Sequence, residues 1–261
     1  MKPFTDKDIR QALEERSIRH SVLQRRGVDA VIAALESEEA TLVLLERDNP
    51  HPDLNEIRKL CLEKNVKIEE GSRTDVWRMA LPAKEGEPEH PLALALVGRT
   101  PNLSLEEVFE KGGVIWLLDG VQYATNMGFC IRTAEVSGAD AMIISNKMSH
   151  SERSAVKGSS MRATRFIPIH YTETENALKL AKQYNVRVIV AEDVGTIAPW
   201  ESDLTGDVLI VVGAERDGVS QESLDAADQI IRLPMEGFIP SYNLQVAISA
   251  LAIEAIRQRN N

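Results

Sequence analysis

Three short polar segments in the C-terminal half of the chain carry residue types that could bind an anion or a polarised hydroxyl group. Each segment follows an apolar, β-branched run of the kind that forms a buried strand. The polar residues of the three segments are Asn126, Arg132, Glu215, Ser241 and Asn243. In open α/β sheets, ligands bind beyond the carboxyl ends of the strands, so these segments are predicted to form one site.

Arg132 is the residue of the first segment with the clearest chemical use. Its apolar neighbours, Ile131 and Ala134, predict a partly buried guanidinium, which suits phosphate or a polarised hydroxyl. An ordinary surface ion pair with Glu135 is the alternative. Asn126 lies six residues earlier, within about 120° of Arg132 around a helix axis. It is expected to be the N-cap of that helix whatever else it does.

The second and third segments supply weaker signals when each is taken by itself. The glycines of residues 213–218 would let the backbone approach a ligand closely, but the segment has neither the lysine of a P-loop nor a dinucleotide-binding glycine pattern. Glu215 is expected either to pair with a cation such as Arg132 or to be solvated. Ser241 or Asn243 is expected to cap the helix that follows, which would leave the other for a ligand.

Composition excludes several other classes of protein. The two cysteines, Cys61 and Cys130, are far apart, and no spacing of histidine, cysteine or carboxylate residues resembles a metal site. We therefore expect no metal and no disulfide framework. No apolar run approaches the length of a membrane span, and the charged start of the chain is unlike a signal peptide. These features predict a cytoplasmic protein with no membrane partner.

The net charge of −10 argues against a nucleic-acid partner, because phosphate binding usually needs a basic face. Net charge does not fix where the charges lie, however. Four cations recur along one segment and could form a local basic surface, with a scattered solvated face as the alternative. They are Arg153, Lys157, Arg162 and Arg165.

Alternating strand and helix patterns predict an α/β fold with two domains. Residues 1–97 are expected to form a small α/β domain, residues 98–111 a linker, and residues 112–261 a second domain with a parallel sheet. A helix is predicted over residues 5–36, with Gly27 as a point where it could break. Arg25 and Arg26 lie in it, either on a solvated face or on an arm that contacts RNA.

Together, the three segments resemble the three motifs of the SpoU/TrmH family of RNA ribose 2′-O-methyltransferases, in the SPOUT superfamily. The resemblance holds in order and in spacing over residues 112–261. Residues 16–97 resemble, more weakly, the L30e-like substrate-binding domain that is often attached. The matching stretches are NMGFCIRTAEVSGA, VVGAERDGVS and IIRLPMEGFIPSYNLQVAISALAIEAIRQR.

The resemblance implies a homodimer whose catalytic domain contains a deep trefoil knot and binds S-adenosylmethionine in the knotted loops. It implies that Arg132 is the catalytic arginine and that Asn126, Glu215, Ser241 and Asn243 are its companions. The cofactor-contacting positions that it implies are Gly213, Leu233, Met235, Tyr242 and Leu244. One departure is Tyr242, where the family usually has a leucine that lines the adenine pocket.

The expected reaction is direct methyl transfer to a ribose 2′-hydroxyl in structured RNA, with rRNA favoured over tRNA. Arg132 would hold a nearby phosphate and assist deprotonation. Two alternatives stay open on the sequence. The chain could be a non-catalytic RNA-binding or ribosome-associated module in which Tyr242 blocks the cofactor, or a nucleotide-binding enzyme of another kind, such as a hydrolase.

Overall fold

The computed structural model describes residues 23–239 and 241–260, and the chain divides into two compact units, Met1–Pro101 and Asn102–Asn261. The first unit contains a four-stranded sheet in the order β1-β4-β2-β3, in which β2 and β3 are parallel and the other pairs antiparallel. Its strands are β1 (Gln24–Arg26), β2 (Ala40–Glu46), β3 (Lys67–Gly71) and β4 (Ala93–Val97). Its helices are α1 (Val28–Glu36), α2 (Pro52–Glu63) and α3 (Arg73–Met79).

The helix predicted over residues 5–36 is wrong in part of its described length. Gln24–Arg26 form strand β1, which pairs with β4, and helix α1 begins only at Val28. Gly27 separates the two elements with a positive φ of 88°, so the predicted break is confirmed there. Strand pairing across the unit overrides the local helical pattern, because the backbone donors of residues 24–26 find their partners in β4. The first part of the prediction lies outside the described residues.

The second unit is built on a six-stranded parallel sheet in the order β10-β8-β9-β5-β6-β7. The predicted α/β class with a parallel sheet is therefore confirmed. The strands are β5 (Val114–Asp119), β6 (Ala141–Ser145), β7 (Ile169–Tyr171), β8 (Arg187–Ala191), β9 (Val208–Gly213) and β10 (Gln229–Ile231). The helices are α4 (Leu105–Lys111), α5 (Ala124–Val136), α6 (His150–Ser159), α7 (Thr174–Gln183), α8 (Gln221–Ala226) and α9 (Leu244–Arg259).

Helices cover both faces of this sheet, so its central strands are apolar along their whole length. In β5, Trp116 and Leu118 pack on one side, whereas Ile115 and Leu117 pack on the other. Helices α5, α6 and α9 bury residues in the first of these cores, and α4 and α7 bury residues in the second. Two-sided burial is the reason that β5 and β9 read as continuous hydrophobic runs.

One further segment differs from the sequence-based expectations. Residues 98–111, expected as a linker, include helix α4, and its Val108 and Phe109 are buried in the core of the second unit. Strand β7 follows a short 3₁₀ turn at Ala163–Arg165. In the described residues, no helix is both long enough and apolar enough to cross a bilayer.

Helix α5 approaches α6 closely at Gly128. A Cβ atom added there would lie 2.6 Å from the carbonyl oxygen of Val156 and 2.8 Å from the backbone nitrogen of Ser160. Backbone atoms cannot move aside as a flexible side chain can. The small residue therefore sets the distance between the two helices and, with it, the placement of the helix that carries Asn126 and Arg132.

Gly128→Ala is expected to lower the free energy of unfolding by about 1–3 kcal/mol because of this overlap. Gly158→Ala is the matched control, since it lies on α6 with no atom within 4 Å of its added Cβ. There, alanine should be neutral or stabilise by at most about 1 kcal/mol. Urea denaturation of both variants measures the difference, and equal stabilities would contradict the proposed close contact.

Candidate active site

A pocket of about 340 Å³ lies beyond the carboxyl ends of the neighbouring strands β8 and β9, next to the segment that follows β10. Its walls come from four separate stretches of the chain between residues 191 and 247. The lining residues are Ala191, Glu192, Asp193, Val212, Gly213, Ala214, Glu215, Arg216, Gly218, Arg232, Leu233, Met235, Ser241, Tyr242, Leu244 and Ala247. The pocket combines an apolar floor with a few charged groups, which is typical of a small-molecule site.

The structure brings together all five residues that the family resemblance placed at the cofactor. They are Gly213, Leu233, Met235, Tyr242 and Leu244. Two of the five predicted catalytic residues, Glu215 and Ser241, line the same pocket. The second and third motifs therefore converge on one cavity even though about 20 residues separate Glu215 from Leu233 in the chain.

Asn126 joins this group through Glu215, because its side-chain amide donates a hydrogen bond to the Glu215 carboxylate. Its expected role as the N-cap of α5 is wrong. Tyr123 holds that position, and Asn126 is the third residue of the helix. Its amide therefore lies in the first turn and reaches the loop after β9. Burial raises the pKa of the Cys130 thiol to about 12, and the negative charge of Glu215 contributes a smaller part of this rise.

The alternatives for Ser241 and Asn243 are separated by their contacts. Asn243 is the N-cap of α9, and its side-chain oxygen accepts a hydrogen bond of 3.0 Å from the N–H of Gln245. Ser241 lines the pocket. Capping therefore accounts for Asn243, and Ser241 is the one of the two that borders the pocket.

Tyr242 forms part of the pocket wall, and its hydroxyl donates a 2.8 Å hydrogen bond to the carbonyl oxygen of Pro234. This bond joins the two ends of the loop that precedes α9. A cavity of about 340 Å³ is present beside the Tyr242 ring, so the tyrosine does not fill the pocket that a leucine would line at this position. Its ring is about half exposed.

Arg132 is exposed and is not among the residues that line the pocket, so the expectation of a partly buried guanidinium is wrong for the single chain. It shares one face of α5 with Phe129 and Val136, since these positions fall within about 60° around the helix axis. Val136 is 75% exposed. The chain thus presents Arg132 outward, beside an apolar residue that would be expected in an interior.

The cations expected to contact RNA have different surroundings. Arg153 and Lys157 are exposed on α6, and the guanidinium of Arg153 lies 4.5 Å from the ring centroid of Tyr171. Arg162 and Arg165 are half-buried around the 3₁₀ turn that follows α6. Arg162 has a left-handed backbone, with φ of 69°. Such a backbone is uncommon for arginine and costs energy.

The two N-terminal cations have partners within the first unit. Arg25 forms an ion pair with Glu39 at 2.9 Å. The Arg26 side chain is only 6% exposed, and its guanidinium donates to Glu87 and to three backbone carbonyls between residues 81 and 89. These contacts give Arg26 a structural role, and they do not support an RNA-contacting one.

The sequence-based interpretation did not single out two carboxylates at the strand ends that flank β9, Glu192 and Asp119. Glu192 directly follows β8 and lines the pocket. Asp119 is the last residue of β5 and is only 5% exposed. It accepts hydrogen bonds from the Thr174 hydroxyl, the Ser220 N–H and the Ser223 hydroxyl. Their position at strand ends was the available signal, but strand order in the sheet was needed to place them beside β9.

Burial by itself raises the pKa of Asp119, but the hydrogen bonds from Thr174, Ser220 and Ser223 outweigh it, so the pKa lies below its usual value of 3.8. The carboxylate is therefore ionised over the whole neutral range. Among the described residues, no group of three or more histidine, cysteine or carboxylate side chains is arranged to hold a metal ion.

Fold and site together define a class of protein. It is an α/β protein with a small-molecule pocket at the carboxyl edge of a parallel sheet, lined by the second and third motifs of its C-terminal half and by the segment that follows β8. The profile of the SpoU rRNA methylase family matches residues 113–253, which is more than half of the chain. The chain belongs to this family, and the family predicted from the motifs is confirmed.

Curated relatives cover nearly the whole chain. A protein of Xanthomonas campestris pv. campestris named 23S rRNA (guanosine-2′-O-)-methyltransferase RlmB is 28% identical over 242 residues, which are 89% of this chain and 95% of the relative. A protein of Vibrio cholerae with the same name is 29% identical over 245 residues, with 89% and 96% coverage.

Solved structures show the same fold. The AdoMet-bound rRNA methyltransferase from Sinorhizobium meliloti aligns with a TM-score of 0.57 at 20% identity, covering 98% of this chain and 97% of that one. The SpoU methyltransferase AviRb from Streptomyces viridochromogenes aligns with a TM-score of 0.57 at 18% identity, covering 93% and 91%.

Asp119→Asn is expected to weaken the acid dependence of stability. Because the pKa of Asp119 is depressed in the folded chain, its carboxylate stabilises the fold above the unfolded-state pKa of 3.8. That contribution is lost as the pH falls through the lower, folded-state pKa. Urea unfolding between about pH 5 and pH 2 should show a smaller loss of unfolding free energy in the variant than in the native chain. Parallel pH profiles would count against the depressed pKa.

Proposed function

We propose that this protein transfers a methyl group from S-adenosylmethionine to a ribose 2′-hydroxyl of ribosomal RNA. The observation that carries the proposal is the convergence of the second and third family motifs on one pocket, together with the bond from Asn126 of the first motif to Glu215. The names of the curated relatives support the same reaction and an rRNA substrate.

The residues of the pocket fit S-adenosylmethionine in size and in chemistry. Its volume of about 340 Å³ is within the range of ligand sites. Apolar residues such as Leu233 and Leu244 would contact the adenine. Asp193 offers negative charge for the ammonium and sulfonium groups, and Arg232 offers positive charge for the carboxylate.

The cofactor, when bound, supplies an electrophilic methyl group on a positively charged sulfur. The chain must then place a 2′-hydroxyl in line with that methyl group and lower the cost of losing the hydroxyl proton. Glu215, Asn126 and Ser241 orient the hydroxyl at the pocket, and Arg132 binds the adjacent phosphate and stabilises the developing negative charge. The two thiols have no part, since burial raises the pKa of Cys61 to about 11, and that of Cys130 is raised to about 12.

The functional unit in this proposal is a homodimer, and two stripes of residues on helix surfaces support it. The first consists of the half-buried Phe129 and the exposed Arg132 and Val136 on α5, and the second of the exposed Val246, Ala250 and Ile253 on α9. Each stripe keeps a spacing of three and four residues and therefore occupies one helix face. Val246 and Ile253 are 50% and 67% exposed, although helices α5 and α9 pack against each other.

A second copy on these stripes would bury their apolar side chains. It would also explain Arg132, which is exposed and does not line the pocket of its own chain. In the dimer, the arginine of one protomer would serve the pocket of its partner. A guanidinium at an interface is favoured because its planar fork can hold a phosphate bidentately.

The RNA surface is proposed to include Arg153 and Lys157 on α6, and Arg162 and Arg165 around the 3₁₀ turn that follows it. A local basic surface reconciles RNA binding with the overall net charge of −10. The first unit is proposed to be an L30e-like domain that adds substrate contacts. Its sheet, with helices on both faces, is consistent with that assignment.

A trefoil knot in the second unit remains part of the proposal. Its support is that two segments, one preceding and one following β9, lie side by side. The N–H of Arg232 donates to the carbonyl oxygen of Ile197 at 2.8 Å, and Ile197 pairs with Ile231. A Cβ at Gly195 would lie 2.6 Å from the carbonyl carbon of Ile231, so the two segments approach each other closely.

Arg132→Ala is expected to lower transfer of labelled methyl to rRNA at least about 100-fold, because it removes the charge that holds the phosphate. Its dissociation constant for S-adenosylmethionine, measured by calorimetry, should be nearly unchanged, since Arg132 does not line the pocket. Lys179→Ala removes an exposed cation from α7, on the other face of the sheet, and should retain full activity. Unchanged turnover in Arg132→Ala would reject the assigned role.

Ile253→Glu is expected to convert a dimer into a monomer, because it places a charge in the apolar stripe of α9. Light scattering should report half the mass, and methyl transfer should fall with it. Leu62→Glu is the matched control, since Leu62 is 80% exposed in the first unit and belongs to neither stripe. A monomeric native chain, or a dimeric Ile253→Glu chain, would refute the interface.

A further inference from the structure

Glu215 is carried by a short turn that closes on itself. The N–H of Ala214 donates to the carbonyl oxygen of Gly218, and the N–H of Gly218 donates back to that of Ala214, both at 3.0 Å. These two bonds fix the shape of the turn. They do not fix its direction relative to the pocket, which depends on what holds the residues at its ends.

The two residues that leave the turn are each held by a carboxylate. The N–H of Val219 donates to Glu192 at 2.9 Å, and the N–H of Ser220 donates to Asp119 at 2.8 Å. Glu192 follows β8 and Asp119 ends β5, and these are the two strands that flank β9 in the sheet. The chain that follows β9 is therefore hydrogen-bonded to residues of both neighbouring strands as it leaves the turn. Hydrogen bonds to ionised acceptors are the stronger kind.

Close packing at two glycines leaves the turn little room to move relative to Glu192 and the end of β9. A Cβ at Gly218, where φ is +67°, would lie 2.6 Å from the Glu192 carboxylate. A Cβ at Gly213 would lie 2.1 Å from the carbonyl carbon of Gly218. Glycine at both positions thus lets the strand end, the turn and the carboxylate come into direct contact.

The bonds of Asp119 separate into two groups. The bonds from Ser220 and Ser223 reach the start of α8 and therefore the turn, whereas the bond from Thr174 reaches the start of α7. The starts of both helices surround the carboxylate, which is favourable for a negative charge. Loss of the Thr174 bond should weaken the fold without releasing the turn. This difference allows a structural role to be told apart from a positioning role.

We propose that Asp119 and Glu192 are positioning residues for methyl transfer, a carboxylate clamp that holds residues 219–220 and so directs Glu215 towards Asn126 and the pocket. The inference rests on the proposed function, because it assigns the clamp to the active site of that reaction. Neither carboxylate needs to touch the reacting atoms. Their contribution is to hold the turn in one place, where a displacement of about 1 Å can cost two orders of magnitude in rate.

The test compares Asp119→Ala and Glu192→Ala with Thr174→Ala, and with Asp119→Asn and Glu192→Gln. Amide hydrogen exchange of residues 214–220 is measured without cofactor, alongside the Tm and the kcat for methyl transfer. Both alanine variants of the clamp should speed exchange at Val219 and Ser220 and lower kcat by roughly 10- to 100-fold. Thr174→Ala should lower the Tm and leave kcat within about twofold of the native value.

The conservative variants should restore most of the activity. An asparagine at 119 can still accept from Ser220 and Ser223 through its oxygen while its amide donates to the Thr174 hydroxyl. A glutamine at 192 can still accept from Val219. If Asp119→Ala does not fold, the Glu192 variants still allow the test, because Glu192 lies at the pocket surface and Asp119 is buried.

Two results would overturn the clamp. One is an equal fall in kcat for Thr174→Ala and Asp119→Ala, which would make the role structural. The other is unchanged exchange at residues 219 and 220 in the alanine variants. A native chain that transfers no methyl group would refute the proposed function instead, and the exchange data would still decide whether the carboxylates hold the turn.

Discussion

The parallel arrangement of β8, β9 and β5 is the constraint on which the rest of this molecule depends. Three neighbouring strands of the same direction bring their carboxyl ends to one edge, where their last backbone groups have no further strand partners. Polar side chains at those ends can then meet, although they are far apart in sequence. Two-sided burial of the sheet holds this edge rigid, because helices pack on both faces.

The site is built more by backbone approach than by side-chain bulk. Gly128, Gly195, Gly213 and Gly218 each lie where an added Cβ would overlap other atoms of the chain. At these points helices, strands and loops come into direct contact, and the cavity forms between their backbones. These four glycines therefore tolerate larger side chains poorly, although a glycine has no side chain that could take part in the reaction.

Negative charge at the carboxyl edge is stabilised by hydrogen-bond donors, most of them on polar side chains. Asp119 has three hydrogen-bond donors around it, and this is why a carboxylate that is only 5% exposed remains ionised. Glu215 is bonded to Asn126 in the same chain. Arg132, in contrast, is presented to the outside beside exposed apolar residues. The carboxylates of Asp119 and Glu215 are thus hydrogen-bonded within the chain, whereas the guanidinium of Arg132, which is proposed to act in catalysis, lies at the surface.

The sequence by itself determined the family and the α/β class, because each follows from local order: motif spacing, apolar runs and the residues just after them. Five of the residues that line the pocket, from Gly213 to Leu244, could be named because the motifs have fixed spacing. Residues 24–26 could not be assigned correctly, since their strand exists only through pairing with β4. Asp119 and Glu192 could not be recognised as partners of one turn, because only the order of the strands places them on either side of β9. The exposure of Arg132 was likewise decided by tertiary packing, which buries one face of α5 and leaves the face with Phe129 and Val136 outside.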